Sequence, residues 1–148
     1  YLSGVCQWVK QSLVLGRSPY HWKNEPCLFG WKKKGKHKWY AGRSETTIWE
    51  FDKPSKNKLH STMKPIPLMA YPIKNSTAVN AIVVDPFSGS ASTLIACEQT
   101  DRICFAAELE ERFVDVGVKR FIEYVGSDED VYLIREGRKI QYKDLEVG

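Results

Sequence analysis

Between Ala81 and Glu108 the chain reads AIVVDPFSGSASTLIACEQTDRICFAAE, and few arrangements accept that order of residues. Ala81 to Val84 is a short apolar run rich in β-branched side chains, the pattern of a strand buried on both faces of a parallel sheet. Asp85-Pro86 ends it, because proline fixes φ and removes the N–H that a ladder needs. Ser88-Gly89-Ser90-Ala91-Ser92-Thr93 follows Phe87, and such small residues let backbone pass close to a ligand. A helix is expected from about Ser92 to Thr100. A second apolar run, Arg102 to Ala107, then delivers Glu108 at its carboxyl end.

A strand, a glycine-containing turn, a helix and a strand ending in an acid, with the acid about 20 residues after the loop, is how Rossmann-like units hold a nucleoside. The chemistry fits. A loop at the carboxyl edge of a parallel sheet, backed by a helix N-terminus, presents unpaired N–H groups to a carboxylate or phosphate. A carboxylate on the next strand accepts both ribose hydroxyls. On glycine content alone an ordinary βαβ crossover stays open, since the loop carries one glycine where dinucleotide folds carry three.

The wording of the loop is more specific. Asp85-Pro86-Phe87-Ser88-Gly89-Ser90-Ala91-Ser92-Thr93 resembles the D-P-F-x-G-x-G-x-T loop of the amino-methylating DNA methyltransferases, which make N6-methyladenine or N4-methylcytosine. Upstream, His60-Ser61-Thr62-Met63-Lys64-Pro65 is similar to the family's H-P-T-x-K-P segment, and downstream Phe105-Ala106-Ala107-Glu108-Leu109-Glu110 is similar to its Y-x-G-x-E-x-D segment. The passage from Trp8 to Trp31 looks like the W-x-K then H-W-x-H-E-P-x-L-Y-G-W-K passage of phage-type members, with Asn24 where a His is common. The resemblance extends from about Trp8 to Phe121.

It implies an α/β, Rossmann-like methyltransferase fold, a mostly parallel sheet flanked by helices, incomplete here and followed by a small C-terminal β-hairpin. It also implies S-adenosylmethionine as cofactor. Asp85, Pro86, Phe87, Ser88, Gly89 and Ser90, with Thr93, would hold its methionine portion. Thr62 and Lys64 would line the far side of that pocket, and Glu108 would bind the ribose. Ala91 stands where the family has a second loop glycine, so its methyl is expected to crowd the cofactor; Ala106 stands where a glycine is common.

The family's catalytic tetrapeptide, [D/N/S]-P-P-[Y/F/W], does not occur in the sequence. In the family its polar side chain and a backbone carbonyl accept hydrogen bonds from the exocyclic amine, and its aromatic stacks on a flipped base. Ser18-Pro19-Tyr20 has one proline where two are needed and sits inside the Trp8 to Trp31 match. No catalytic residue is therefore assigned. The expected activity is site-specific methylation of double-stranded DNA, adenine N6 in preference to cytosine N4, by a dimer or with another chain supplying the missing catalytic part. The alternative is an inactive remnant retained as a DNA- or cofactor-binding module.

Lys32-Lys33-Lys34-Gly35-Lys36-His37-Lys38-Trp39-Tyr40 is the most basic passage of a chain whose net charge is +4. Lys32, Lys33, Lys34, Lys36 and Lys38 could clamp a DNA backbone by charge while the two aromatics stack on bases or sugars. Arg17 joins them as a DNA contact, and His21 is either a catalytic or phosphate-contacting group or is held in a loop hydrogen bond. Phosphate contacts position without specifying sequence.

Elsewhere, strands are expected over Gly4 to Leu15, Cys27 to Trp31 and Arg43 to Phe51, and a helix from Pro65 to about Asn75, kinked or shortened by Pro72. Glu110 to Val125 reads as a helix that packs on the sheet and stops at Gly126. Val131 to Ile134 and Lys139 to Tyr142 read as a hairpin. Residues 1–126 would form the methyltransferase domain, with 1–59 facing DNA and 60–126 binding cofactor, and 127–148 an extension. At 148 residues, 43% of them hydrophobic and 27% charged, the chain has ordinary globular composition. No apolar run is long enough to span a bilayer and no signal-peptide pattern opens the sequence, so a cytoplasmic protein with no membrane partner is expected. Cys6, Cys27, Cys97 and Cys104 form no C-x-x-C pair and read as reduced core residues rather than metal ligands.

Overall fold

In a computed structural model, which describes residues 1–52 and 63–145, two small sheets are joined through a pair of helices. Strands β1 (Leu2–Val14) and β2 (Trp22–Gly30) pair antiparallel, with Cys6 opposite Cys27 and Trp8 opposite Glu25. A short β3 (Ile48–Glu50) adds parallel to β1, giving the order β2-β1-β3. The strand period of two puts Cys6, Trp8 and Lys10 on one inward face of β1. Trp8 is 2% exposed, and its indole N–H donates to the Phe51 carbonyl at 2.7 Å. Trp8→Phe leaves that carbonyl without its donor and should lower stability by about 1–3 kcal/mol, read as a lower urea midpoint at unchanged slope.

Most of the strand expected over Arg43 to Phe51 does not form. The Thr46 hydroxyl donates to the Ile48 carbonyl and the Trp49 indole to the Thr46 carbonyl, so side chains take up backbone groups that a ladder would use.

Helix α1 (Ile66–Ser76) begins after an extended Pro65, with Pro67 in the first turn where no amide bond is lost. Pro72 sits inside it, yet the helix continues for 11 residues rather than stopping short. Its buried Leu68, Ala70 and Ile73 hold it in place against the lost hydrogen bond. β4 (Ile82–Asp85), α2 (Ser92–Gln99) and β5 (Ile103–Ala106) form the expected crossover, the strands paired parallel with Val83 beside Cys104. Ala70, Ile73, Ala96 and Cys97 make the core here, with Met69, Val83 and Cys104 packed on it.

One face of the β4–β5 pair contradicts the expectation of burial on both sides. Ile82, Val84, Ile103 and Phe105 are 61%, 68%, 48% and 58% exposed. Alternation sends them away from α1 and α2, and among the described residues no element covers that side. β4 pairs with β5 alone among the described residues, so its other edge is open.

Helix α3 (Glu111–Val125) ends at Gly126, whose φ is 75°. It does not lie on the sheet as expected. It leans on α2 and the β4–α2 loop, its buried residue is Gly117, and Val114 and Val125 stay exposed. β6 (Tyr132–Arg135) and β7 (Arg138–Gln141) form the terminal hairpin around Glu136-Gly137, both at positive φ as a tight two-residue turn requires.

All four cysteines are free thiols. Burial pushes each one up, Cys104 to about 12, so none is presented as a thiolate. No helix of the described residues is long and apolar enough to cross a membrane.

Candidate functional site

The turn after β4 is built by its own side chains and backbone. Asp85 Oδ1 accepts the Phe87 N–H at 3.0 Å, closing a local turn, and the Ser88 N–H donates to the Ala107 carbonyl at 2.9 Å, fastening the loop to the end of β5. Gly89 has φ +53°, and a Cβ placed there would meet nothing within 4 Å, so the loop presents open backbone on that side. Its N–H donates to Glu108 Oε2 at 2.6 Å, and the Glu110 N–H donates to Glu108 Oε1 at 2.9 Å. Those backbone donors, Glu110 first and Gly89 next, hold the Glu108 carboxyl below the usual carboxylate range, which keeps it charged. Glu108 thus faces the loop and not the core.

Ala91 does not crowd this space. At φ 63° and 3% exposure its methyl is directed at Gly117 of α3, on the opposite side of the loop.

A cavity of about 800 Å³ opens between the loop, α1 and β2, within the roughly 300–1,000 Å³ of small-ligand clefts. Asp85, Phe87, Ser88, Gly89, Ser90, Thr93, Glu108 and Lys64 all line it. Pro86 does not, and Thr62 lies outside the described residues with the rest of its H-x-T run. Ser92 Oγ donates to the Lys64 carbonyl at 2.9 Å, which draws the segment before α1 against the loop.

The opposite wall holds residues that sequence reasoning missed. Glu25 of β2 binds the Lys10 ammonium at 2.7 Å and the Lys64 ammonium at 2.5 Å, and both ammonium groups lie over the Trp8 ring. Burial pushes the Glu25 carboxyl up, but the two lysines outweigh it and hold it below its ordinary value. Trp8, Trp49, Met69 and Phe113 are among the apolar residues of the lining. The signal that could have found them was a lysine at the third inward position of β1, which demands a buried acid nearby.

The basic passage forms an exposed turn after β2, closed by the Gly35 N–H donating to the Lys32 carbonyl at 2.7 Å. Among the described residues Lys32, Lys33, Lys34, Lys36 and Lys38 enter no ion pair. Its aromatics are partly engaged within the protein. His37 stacks on Trp31 at 4.8 Å, Trp39 meets Phe29 edge-on and donates its indole N–H to the Gly42 carbonyl, and the Tyr40 N–H donates to the Asn75 carbonyl. Arg17 is exposed on the β1–β2 connection, where His21 Nδ1 accepts the Gly16 N–H at 3.3 Å. Tyr20, of the Ser-Pro-Tyr string, is 90% exposed and outside the cavity wall.

A parallel strand pair with its crossover helix, a left-handed glycine turn and an acid bonded to that turn define a Rossmann-like α/β protein. The chain belongs to the N6/N4 methyltransferase family, whose model, described as DNA methylase, matches residues 17–119. It is 30% identical over 114 residues to the type II methyltransferase M.Cfr9I of Citrobacter freundii, covering 76% of this chain and 36% of that one. The crystal structure of the M1.HpyAVI–SAM complex superposes with a TM-score of 0.69 at 29% identity, covering 81% of this chain and 62% of that one. PvuII DNA methyltransferase, described as cytosine-N4-specific, shares the fold with a TM-score of 0.67 at 20% identity, over 82% of this chain and 51% of that one. The chain therefore spans less than two fifths of the curated relative and about three fifths or less of these solved structures.

Proposed function

We propose that this chain is the cofactor-binding part of a DNA amino-methyltransferase that uses S-adenosylmethionine and modifies adenine N6 in preference to cytosine N4. The observation that carries the reading is the Gly89–Glu108 pairing at the mouth of the cavity. It fixes a charged acceptor beside a glycine loop that no side chain covers, and such an acceptor suits the hydroxyl donors of a ribose. Glu108 would accept the ribose hydroxyls, and the Asp85 to Ser90 turn with Thr93 would hold the methionine portion. Lys64, fixed by Glu25, would close the far wall; Thr62 remains assigned there on resemblance alone. When bound, the cofactor supplies a methyl group on a positively charged sulfur, open to attack by the amine of a flipped base.

On this reading residues 1–59 face DNA, 60–126 hold cofactor and 127–148 form an extension. The partner is double-stranded DNA, met in the cytoplasm, and a polypeptide bearing the catalytic tetrapeptide completes the site. The open edge of β4 and the exposed side chains of Ile82, Val84, Ile103 and Phe105 are where its strands would add. The second reading is a binding module without chemistry, and complementation with a tetrapeptide-bearing chain separates the two.

Calorimetric titration with S-adenosylmethionine, S-adenosylhomocysteine and NAD tests the cofactor. Binding of the first two and not of NAD is expected; NAD binding, or none at all, would end the proposal. Arg17, His21 and the lysines from Lys32 to Lys38 would grip phosphates. Replacing Lys32, Lys33 and Lys34 by alanine should reduce the slope of log affinity against log salt by roughly 0.9 for each phosphate no longer neutralised, with cofactor affinity unchanged.

A further inference from the structure

We propose that α3 sets the shape of the cofactor loop through a complementary pair, Ala91 and Gly117, with Arg120 as a second anchor. The inference rests on reading the large cavity as the cofactor site, and it gives three residues outside that cavity a positioning role.

Ala91 is the residue before α2 and holds φ 63° and ψ 30°, a left-handed conformation that L side chains disfavour. Its methyl is buried against α3, where a Cβ added at Gly117 would lie 2.9 Å from the Ala91 Cβ and 4.0 Å from the Gly89 carbonyl oxygen. Two carbons do not approach that closely, so a methyl at one position requires its absence at the other. This accounts for a glycine in the middle of a 15-residue helix, where it weakens the helix. One turn on, the Arg120 guanidinium donates from Nη1 to the Ser90 carbonyl. The peptide between Ser90 and Ala91 is therefore held from behind, while Ser88, Gly89 and Ser90 line the cavity in front. The start of the same helix also sets the acid, since the Glu110 N–H donates to Glu108. A displaced α3 would shift loop and acid together.

The test is a cycle of Ala91→Gly, Gly117→Ala and the double variant, each read by cofactor titration, melting temperature and amide exchange of Gly89 to Ser92. In the parent background G117A should weaken S-adenosylmethionine binding about tenfold, accelerate loop exchange and lower the melting temperature by about 4 °C. In the A91G background the same substitution should leave binding within about twofold and raise the melting temperature, because alanine is then simply the better helix former. Arg120→Met should weaken binding and speed loop exchange, with partial recovery in Arg120→Lys. Equal effects of G117A in both backgrounds, a double variant that fails to fold, or a G117A protein that binds like its parent would overturn the proposal. If the parent binds no cofactor, the reversal in melting temperature and exchange still decides the pair, and only the cofactor reading falls.

Discussion

Methyl transfer by this chain alone is expected to stay at background, and to rise at least about a thousandfold when a polypeptide carrying a D-P-P-Y-type tetrapeptide at a strand end is added. The residues that orient the target amine are not among the 148, and orientation is most of what a direct methyl transfer asks of a protein. On the proposed reading such a partner would add at the edge of β4 left open among the described residues, whose unpaired backbone groups can template another strand, and cover the apolar face beside it. Ile82→Lys with Ile103→Lys puts two charges on that face, outside the cavity wall. It should abolish complementation while leaving S-adenosylmethionine binding intact. The readout is labelled methyl incorporated into duplex DNA containing candidate adenine or cytosine sites. Methylation by the chain without a partner would sink this view, and tight cofactor and DNA binding without turnover under any complementation would favour the module.

Glu108→Ala should weaken cofactor binding by at least roughly tenfold, because the two hydrogen bonds that a ribose would make to a charged acceptor are lost. The substitution also leaves the Gly89 N–H without its acceptor. Glu108→Gln tests charge against shape and should recover only a small part, because an amide offers one acceptor oxygen where the carboxylate offers two. The acid's pKa is lowered by backbone donors, so its charged form is the one the fold favours. Binding should therefore be level from neutral pH down past the ordinary carboxyl value of 4.5 and fall only as pH drops through the lowered one. Loss of binding already between pH 7 and 6, or wild-type affinity in Glu108→Ala, would remove Glu108 from the site.

Much of the fold was legible from local patterns. The β4–α2–β5 crossover, the extent of α3 and the terminal hairpin all lie within a residue or two of expectation, because each carries its own punctuation: Pro86, Gly126 and Glu136-Gly137. The pocket wall was half legible. The loop and Glu108 are close in sequence, but Glu25 reaches Lys64 across 39 residues, and no periodicity announces such a pair. The passage from Arg43 to Phe51 has strand composition and still forms only β3, since Thr46 and Trp49 bond to neighbouring carbonyls.

The amino acids alone determined the order strand, glycine turn, helix, strand and acid, and with it one wall of the cavity, because these depend on backbone preferences and spacing along a few residues. Only the tertiary structure decided that Ala91 turns its methyl to Gly117 instead of the cavity, that Glu25 joins Lys10 to Lys64, and that among the described residues one side of the β4–β5 pair is uncovered. Each of those outcomes is set by which distant surface packs against a residue, and a side chain's identity does not carry that information.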